Sequence, residues 1–293
     1  MSIDTVESRG EVARDVLGGS AAYFAAAARV AADVAIVGVV GQDFPERFVT
    51  RMSEAGIDVS GLSRHPGETF RWHVRYARDG NRETVSTNRE TALSEIPQVP
   101  DDRKGPAALF LGSTDPSIQA SVLAQAGAPE LVVLDTMTHW IRERGDDLRL
   151  LMRSADVVLL NEEEALLLGE GDQAGGVRLI LEQGCSWVVV KRGDQGAIAF
   201  GHDRAIAVSA ARPREVKDPT GAGDAFGGGL VATLARDWPS PTAMDEALRQ
   251  AVAMGSLAVE SFSVDRLLAA TQGGVDSRAR EARLKMRKHR PAP

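Results

Sequence analysis

A chain of 293 residues with 43% hydrophobic and 26% charged side chains is long and apolar enough to bury one large core. Its net charge of −7 argues against a non-specific nucleic-acid binder, no apolar run is long enough to span a bilayer, and a single cysteine, Cys185, excludes an intrachain disulfide and a cysteine-based metal site. With no leader pattern at the N-terminus, a cytoplasmic location is expected.

The opening, MSIDTVESRGEVARDVLGG, has no apolar strand ahead of Asp4, so the chain reads as starting late in an inner strand. Gly18 and Gly19 precede an alanine-rich helix, and residues 34–40 read as a buried strand. Asp43 reads as the N-cap of a helix over 45–55. Residues 69–87 read as a β-hairpin with Phe70, Trp72, Val74 and Tyr76 on one apolar face. Asp79, Gly80 and Asn81 would turn it, and Arg71, His73 and Arg75 would form a solvated opposite face. A lone hairpin is rarely stable, so this one must cover something or pair with another subunit.

Beyond a proline- and charge-rich connector at 97–106, short apolar runs at 107–111, 131–135, 156–160 and 186–191 alternate with helical stretches at 118–126, 139–153 and 173–183. That rhythm predicts a parallel sheet covered on both faces, with ligands beyond the carboxyl ends of its strands. Asp115 and Asp135 fall at such ends, as ligand neighbours or as caps and turn residues. Asn161 and Glu164 have the spacing of a capping box. Lys191 lies at the same end of the sheet, as a cation for phosphate or an ordinary surface lysine, and Gly193 and Gly196 mark a turn before the next strand.

The richest stretch is DPTGAGDAFGGGL, residues 218–230. Pro219 stops a strand, Gly221 and Gly223 permit a tight turn, and apolar residues then follow at helical spacing. The free N–H groups of such a helix start attract phosphate oxygens. Asp224 is then either a helix cap or a proton acceptor for a hydroxyl attacking phosphorus. A further helix at 247–259 carries the small residues Gly255 and Ser256, and the tail places seven basic residues over 278–290, read as a solvated or frayed end.

DPTGAGDAFGGG resembles the C-terminal signature of the ribokinase-like (PfkB) family of carbohydrate and nucleoside kinases, residues 18–44 resemble its N-terminal signature, and Asn161 with Glu164 resembles its NxxE motif. The fold implied is α/β: a ribokinase-like three-layer sandwich with a mostly parallel central sheet, a truncated first strand and a small β lid. The kinase core would comprise 1–66 and 97–293 and the lid 67–96, a possible homodimer contact. The resemblance implies Asp224 as catalytic base beside an anion hole of Gly221, Ala222 and Gly223. Asp4, Gly18, Gly19, Phe70, Trp72 and Asp115 would meet the acceptor. Asn161, Glu164, Lys191, Gly193, Gly196, Gly255 and Ser256 would meet ATP, with Glu164 reaching Mg²⁺ through water. Tyr23 stands where many sugar kinases carry Asn. The activity implied is ATP-dependent phosphoryl transfer to a hydroxyl of a sugar or sugar-containing metabolite, with no nucleic-acid or membrane partner. The alternatives are a nucleoside kinase on the same fold and a non-catalytic ligand-binding member.

Overall fold

Apolar residues in the middle of the chain serve both faces of a sheet. The computed structural model describes residues 1–77, 81–88, 91–240 and 242–288. In chain order its strands and helices are β1 (Ser2–Ser8), β2 (Glu11–Gly18), α1 (Ser20–Ala28), β3 (Val34–Gly41), α2 (Glu46–Glu54), β4 (Ile57–His65), β5 (Arg71–Tyr76) and β6 (Arg82–Thr87). Then come β7 (Leu109–Leu111), α3 (Pro116–Gln125), β8 (Val132–Asp135), α4 (Thr138–Glu143), α5 (Gly145–Met152), β9 (Val157–Asn161), α6 (Glu162–Leu168), α7 (Gln173–Glu182) and β10 (Trp187–Lys191). The last are β11 (Ala197–Phe200), β12 (Arg204–Val208), α8 (Ala222–Asp237), α9 (Ala243–Ala258), α10 (Asp265–Leu268), α11 (Gln272–Ala279) and β13 (Leu284–Lys288).

The strands β7 to β10 pair in parallel in sequence order, and β11, β12 and β13 extend the same sheet antiparallel. Alternation sorts the side chains between two cores. Val157, Leu159 and Val189 meet Phe226, Leu230, Leu248 and Val252 of α8 and α9. Val158, Leu160, Val188 and Val190 meet Ile141, Leu148, Ala165 and Ile180 of α4 to α7. Three layers result because the parallel strands β7 to β10 are apolar at every position before their last and need cover on both sides. The strands β3 and β4 form a separate parallel pair. Helix α1 joins the two regions: its alanines share a core with Ile36 and Ile57, while Phe24 stacks on Phe110 of β7 at 4.1 Å between ring centroids.

A second sheet, ordered β2-β1-β5-β6, lies apart from the first. The hairpin of β5 and β6 is present, but Asp79 and Gly80 of its turn lie outside the described residues. Residues 2–4, read as the end of an inner strand, instead begin β1, which pairs with β2 antiparallel and β5 in parallel. The register sets Asp4 beside Trp72 and Val6 beside Val74. On the opposite face Arg71, His73 and Arg75 are not simply solvated. Arg71 meets Asp15 and Asp43 at 3.0 Å, and His73 and Arg75 flank Glu7 at 2.8 and 2.7 Å.

Two further expectations are corrected. Asp43 does not cap α2; its Oδ1 accepts the Thr69 N–H at 2.7 Å and so fixes the entry to β5. The basic tail is not frayed over its described part, because α11 docks with Arg278 buried and β13 adds an edge strand to the main sheet. Among the described residues no helix is long and apolar enough to cross a membrane.

Candidate active site

Helix α8 begins abruptly. Its cap residue Gly221 adopts φ 71°, and a Cβ there would lie 2.2 Å from the Tyr23 ring. Only glycine combines that backbone with that approach. The Ala222 N–H turns back to the Pro219 carbonyl at 3.3 Å, and the Gly223 amide follows it in the first turn. Lys191 faces that turn from the end of β10, its Nζ 3.3 Å from where a Gly223 Cβ would stand. The lysine is not a surface residue: it bonds both oxygens of Asp135 at 3.0 Å. Burial works against its charge, but Asp135 and Glu164 outweigh it and hold the ammonium above its usual range.

The cap position of α8 is Gly221, which has no side chain to cap with, and Asp224, three residues on, does not fill that position. Its carboxylate instead accepts a short hydrogen bond from the Ser20 hydroxyl at the start of α1. Burial, and then Asp135, push its pKa up to about 6, against the opposing pull of Ser20 and Lys191. A carboxylate poised there can take a proton near neutral pH.

A second carboxylate pair lies across Tyr23. Asp4 sits directly over Gly18, where a Cβ would meet its Oδ2 at 1.9 Å, and a Cβ on Gly19 would meet Met1 Cα at 2.8 Å. Asp4 is 2% exposed, its Oδ1 has no hydrogen-bond partner, and burial lifts its pKa to about 7. Asp218 Oδ1 accepts the Thr220 N–H at 2.8 Å while Oδ2 is unpartnered, and burial raises its pKa too. Thr220 donates to the Tyr76 hydroxyl at 3.0 Å, which ties β5 to the start of α8. Buried carboxylate oxygens without donors cost free energy that hydroxyl groups of a ligand would recover. Tyr23, fully buried among Asp218, Asp4, Tyr76 and Asp224, closes the floor.

The remaining expected residues divide. Asn161 and Glu164 form the capping box in full: Asn161 Oδ1 accepts Glu164 N–H at 2.8 Å and Glu164 Oε2 accepts Asn161 N–H at 2.7 Å. Burial raises Glu164 to about 7, with Lys191 pulling the other way and Asp135 adding to the rise. Gly193 and Gly196 form the β10–β11 turn, Gly196 so close to the Val208 carbonyl that a Cβ would stand 2.0 Å from it. Asp115 is engaged elsewhere, capping α3 through Ser117 N–H at 2.8 Å and pairing with Arg144 at 3.1 Å. Phe70 and Trp72 are half-buried beside β1, and the Trp72 indole donates to Thr84 at 3.1 Å.

Gly255 lets α9 approach α8: a Cβ there would stand 3.3 Å from the Ala222 carbonyl oxygen. Ser256 is engaged in a closed ionic cluster. There Arg278 reaches Ser256 at 2.9 Å and Glu260 at 2.5 Å, and Glu260 also accepts from Arg214 N–H at 2.7 Å and Arg266 at 3.0 Å. The site residues that sequence reasoning missed are Ser20, Tyr76, Asp218 and Thr220. Only the last two carried a signal, as neighbours of the glycine turn.

A model of the pfkB family carbohydrate kinases matches residues 4–270. The chain is 31% identical over 229 residues to a cytidine kinase of Thermococcus kodakarensis, covering 76% of this chain and 81% of that protein. Among solved structures, a fructokinase with bound ATP from Xylella fastidiosa superposes with a TM-score of 0.78 at 22% identity over 96% of both chains. The nucleoside kinase of Burkholderia thailandensis in complex with inosine gives 0.77 at 23% identity over 95% of both. These two likenesses are of fold.

Proposed function

The chain belongs to the pfkB family of carbohydrate kinases, and from that premise we propose that it transfers the terminal phosphoryl group of ATP to a hydroxyl of a sugar or sugar-containing metabolite, with Asp224 as base. One observation carries the reading: Asp224 stands half-buried in the first turn of α8 and already accepts a hydrogen bond from a hydroxyl. A base must stand within hydrogen-bond reach of the proton it removes. The Gly223 amide, the positive end of α8 and Lys191 lie where charge on the transferred group would build. Asp4 and Asp218, with their unpartnered oxygens, hold and orient the acceptor's other hydroxyls.

Among the described residues no cluster of three or more acidic, His or Cys side chains forms a metal cage. That fits Mg²⁺, which keeps its waters and is carried mainly by nucleotide phosphates. Glu164, with one oxygen spent on its capping box, is the carboxylate that would meet it, and the ion would supply charge neutralisation of the phosphates. The sheet of β1, β2, β5 and β6 acts as the lid over the acceptor, and the exposed strand β6 at its edge is the surface for a second copy. The protein works in the cytoplasm.

A nucleoside acceptor is the second reading. Trp72 and Tyr76 share the inward face of β5 with Val74, beside Asp4, where a base could stack. The relationship to a cytidine kinase points the same way. The test is ADP release with Mg·ATP against a panel of pentoses, hexoses and nucleosides, run beside Asp224→Asn. Turnover with one acceptor class, lost in the variant, establishes the reaction and selects between the readings. Equal turnover in both proteins overturns Asp224 as base.

A further inference from the structure

We propose that Ser20 is an internal phosphoryl acceptor: with a nucleoside triphosphate bound and no alcohol substrate present, the chain phosphorylates its own Ser20 hydroxyl. The inference rests on the kinase reading above and adds to it a modification site that the reaction itself does not require. Ser20 is the first residue of α1 and lies 204 positions from Asp224 in the chain, yet its hydroxyl donates to Asp224 Oδ1. Whatever hydroxyl holds that bond stands where an acceptor hydroxyl must stand for its proton to be taken.

Three observations make the position competent rather than merely close. Residue 112 is glycine, and a Cβ there would lie 2.7 Å from Ser20 Oγ, so the hydroxyl is not walled off on that side. Ser20 itself is half-buried, unlike the sealed Tyr23 three residues on. The product would also be stabilised: the N-terminal turns of α1 and α8 meet at this bond, and Lys191 Nζ borders Gly223 of the same turn. Two helix starts and an ammonium favour a phosphate ester there.

The step balances without any further reagent. Asp224 accepts the Ser20 proton, Oγ bonds to the terminal phosphorus, and the bond from that phosphorus to its bridging oxygen breaks. The electron pair leaves with the nucleoside diphosphate, and Asp224 returns its proton to solvent. The phosphoserine then covers the base, so the event stops at one phosphoryl group per chain and closes the site to acceptors. A true acceptor, by displacing Ser20 from Asp224, protects the protein.

The test is incubation of the full chain with Mg·ATP labelled in the γ-phosphoryl group, without acceptor, followed by tryptic mass spectrometry. The peptide 15–29 contains Ser20 and no other serine or threonine. The expected result is label on Ser20, formed at a rate independent of protein concentration, stable to hydroxylamine, and diminished by the acceptor that the panel identifies. Ser20→Ala and Asp224→Asn, with thermal melts matching the parent, should carry none, whereas Ser20→Thr should still be labelled. Acceptor turnover by a preparation whose Ser20 stays unlabelled overturns the inference and leaves the kinase reading standing. Label persisting in Ser20→Ala, or label on Ser20 that rises with protein concentration, also overturns it. Neither ADP nor label in any arm overturns the kinase reading and this inference together.

Discussion

Two buried acidic clusters, one around Glu260 and one around Tyr23, behave in opposite ways. Around Glu260 every oxygen is taken: Arg278, Arg266 and the Arg214 N–H surround it, and although burial alone would raise its pKa, these partners bring it below the usual carboxylate range. Around Tyr23, Asp4 and Asp218 each keep an unpartnered oxygen, and Asp4, Asp218 and Asp224 are all raised. Burial is common to both, so burial does not separate scaffold from site. What separates them is whether the protein supplies the donors or leaves them to a ligand.

Exchanging carboxylate for amide at each cluster should break the comparison most sharply. Asp224→Asn should lower kcat by roughly 10²–10⁴, the usual worth of a general base, with a melting temperature equal to or above the parent's. Glu260→Gln should do the reverse. It leaves the buried Arg278 short of its counter-charge and costs about 3–5 kcal/mol of stability, read by denaturant unfolding, while kcat of the folded protein stays near the parent value.

The pH dependence should split along the same line. With Asp224 as the proposed base, kcat/KM should fall on the acid side with a midpoint near 6, tenfold per unit below it. Stability carries the other sign. Asp4 and Asp224 bind protons more tightly folded than at their ordinary value of 3.8, so their contribution is fully present below about pH 4 and is lost as pH rises through about 6 to 7. Each unit of difference is worth about 1.4 kcal/mol before structural relaxation. Asp4→Asn should flatten that loss. Glu260 works oppositely, stabilising above its ordinary 4.5 and losing its contribution as pH falls through its lower folded value. Thermal melts from about pH 2 to 8 on parent, Asp4→Asn and Glu260→Gln resolve the two signs.

Smaller effects sharpen the edges of the site. Lys191→Met strands Asp135 and should cost about 1.5–3 kcal/mol in kcat/KM, the range for bonds to charged groups. Tyr76→Phe removes only the bond to Thr220 and should cost about 0.5–1.5 kcal/mol, seen as a several-fold rise in acceptor KM.

The layers were legible in the sequence because a short apolar run between helical stretches is a local property: residues 131–135, 156–160 and 186–191 became β8, β9 and β10 within a residue or two. The glycine turn before α8 was legible for the same reason. What escaped was contact between distant segments. Nothing near Ser20 in the chain announces Asp224, nothing near Lys191 announces Asp135, and Glu260 has no local mark separating it from a solvated helix end. Asp43 misled because an acid two residues before a proline-started helix is the ordinary pattern of a cap, whereas its real partner, Thr69, lies 26 positions on. Residues 2–4 misled because their strand lies between β2 and β5, the latter 68 positions away in register, and not in the main sheet.

Helix α8 is bare on three sides. A Cβ on Gly227 would stand 3.2 Å from the Phe110 ring, one on Gly228 2.5 Å from the Phe24 carbonyl, and one on Gly229 2.8 Å from the Gln250 carbonyl. For anyone redesigning acceptor preference this makes α8 the fixed datum of the machine: a library that varies 227–229 spends its members on clashes. The adjustable parts are the side chains that hang over the helix start from other segments, Asp4, Tyr23, Trp72 and Tyr76. On the proposed reading of the site, selectivity is to be rewritten there, with the helix start inherited unchanged.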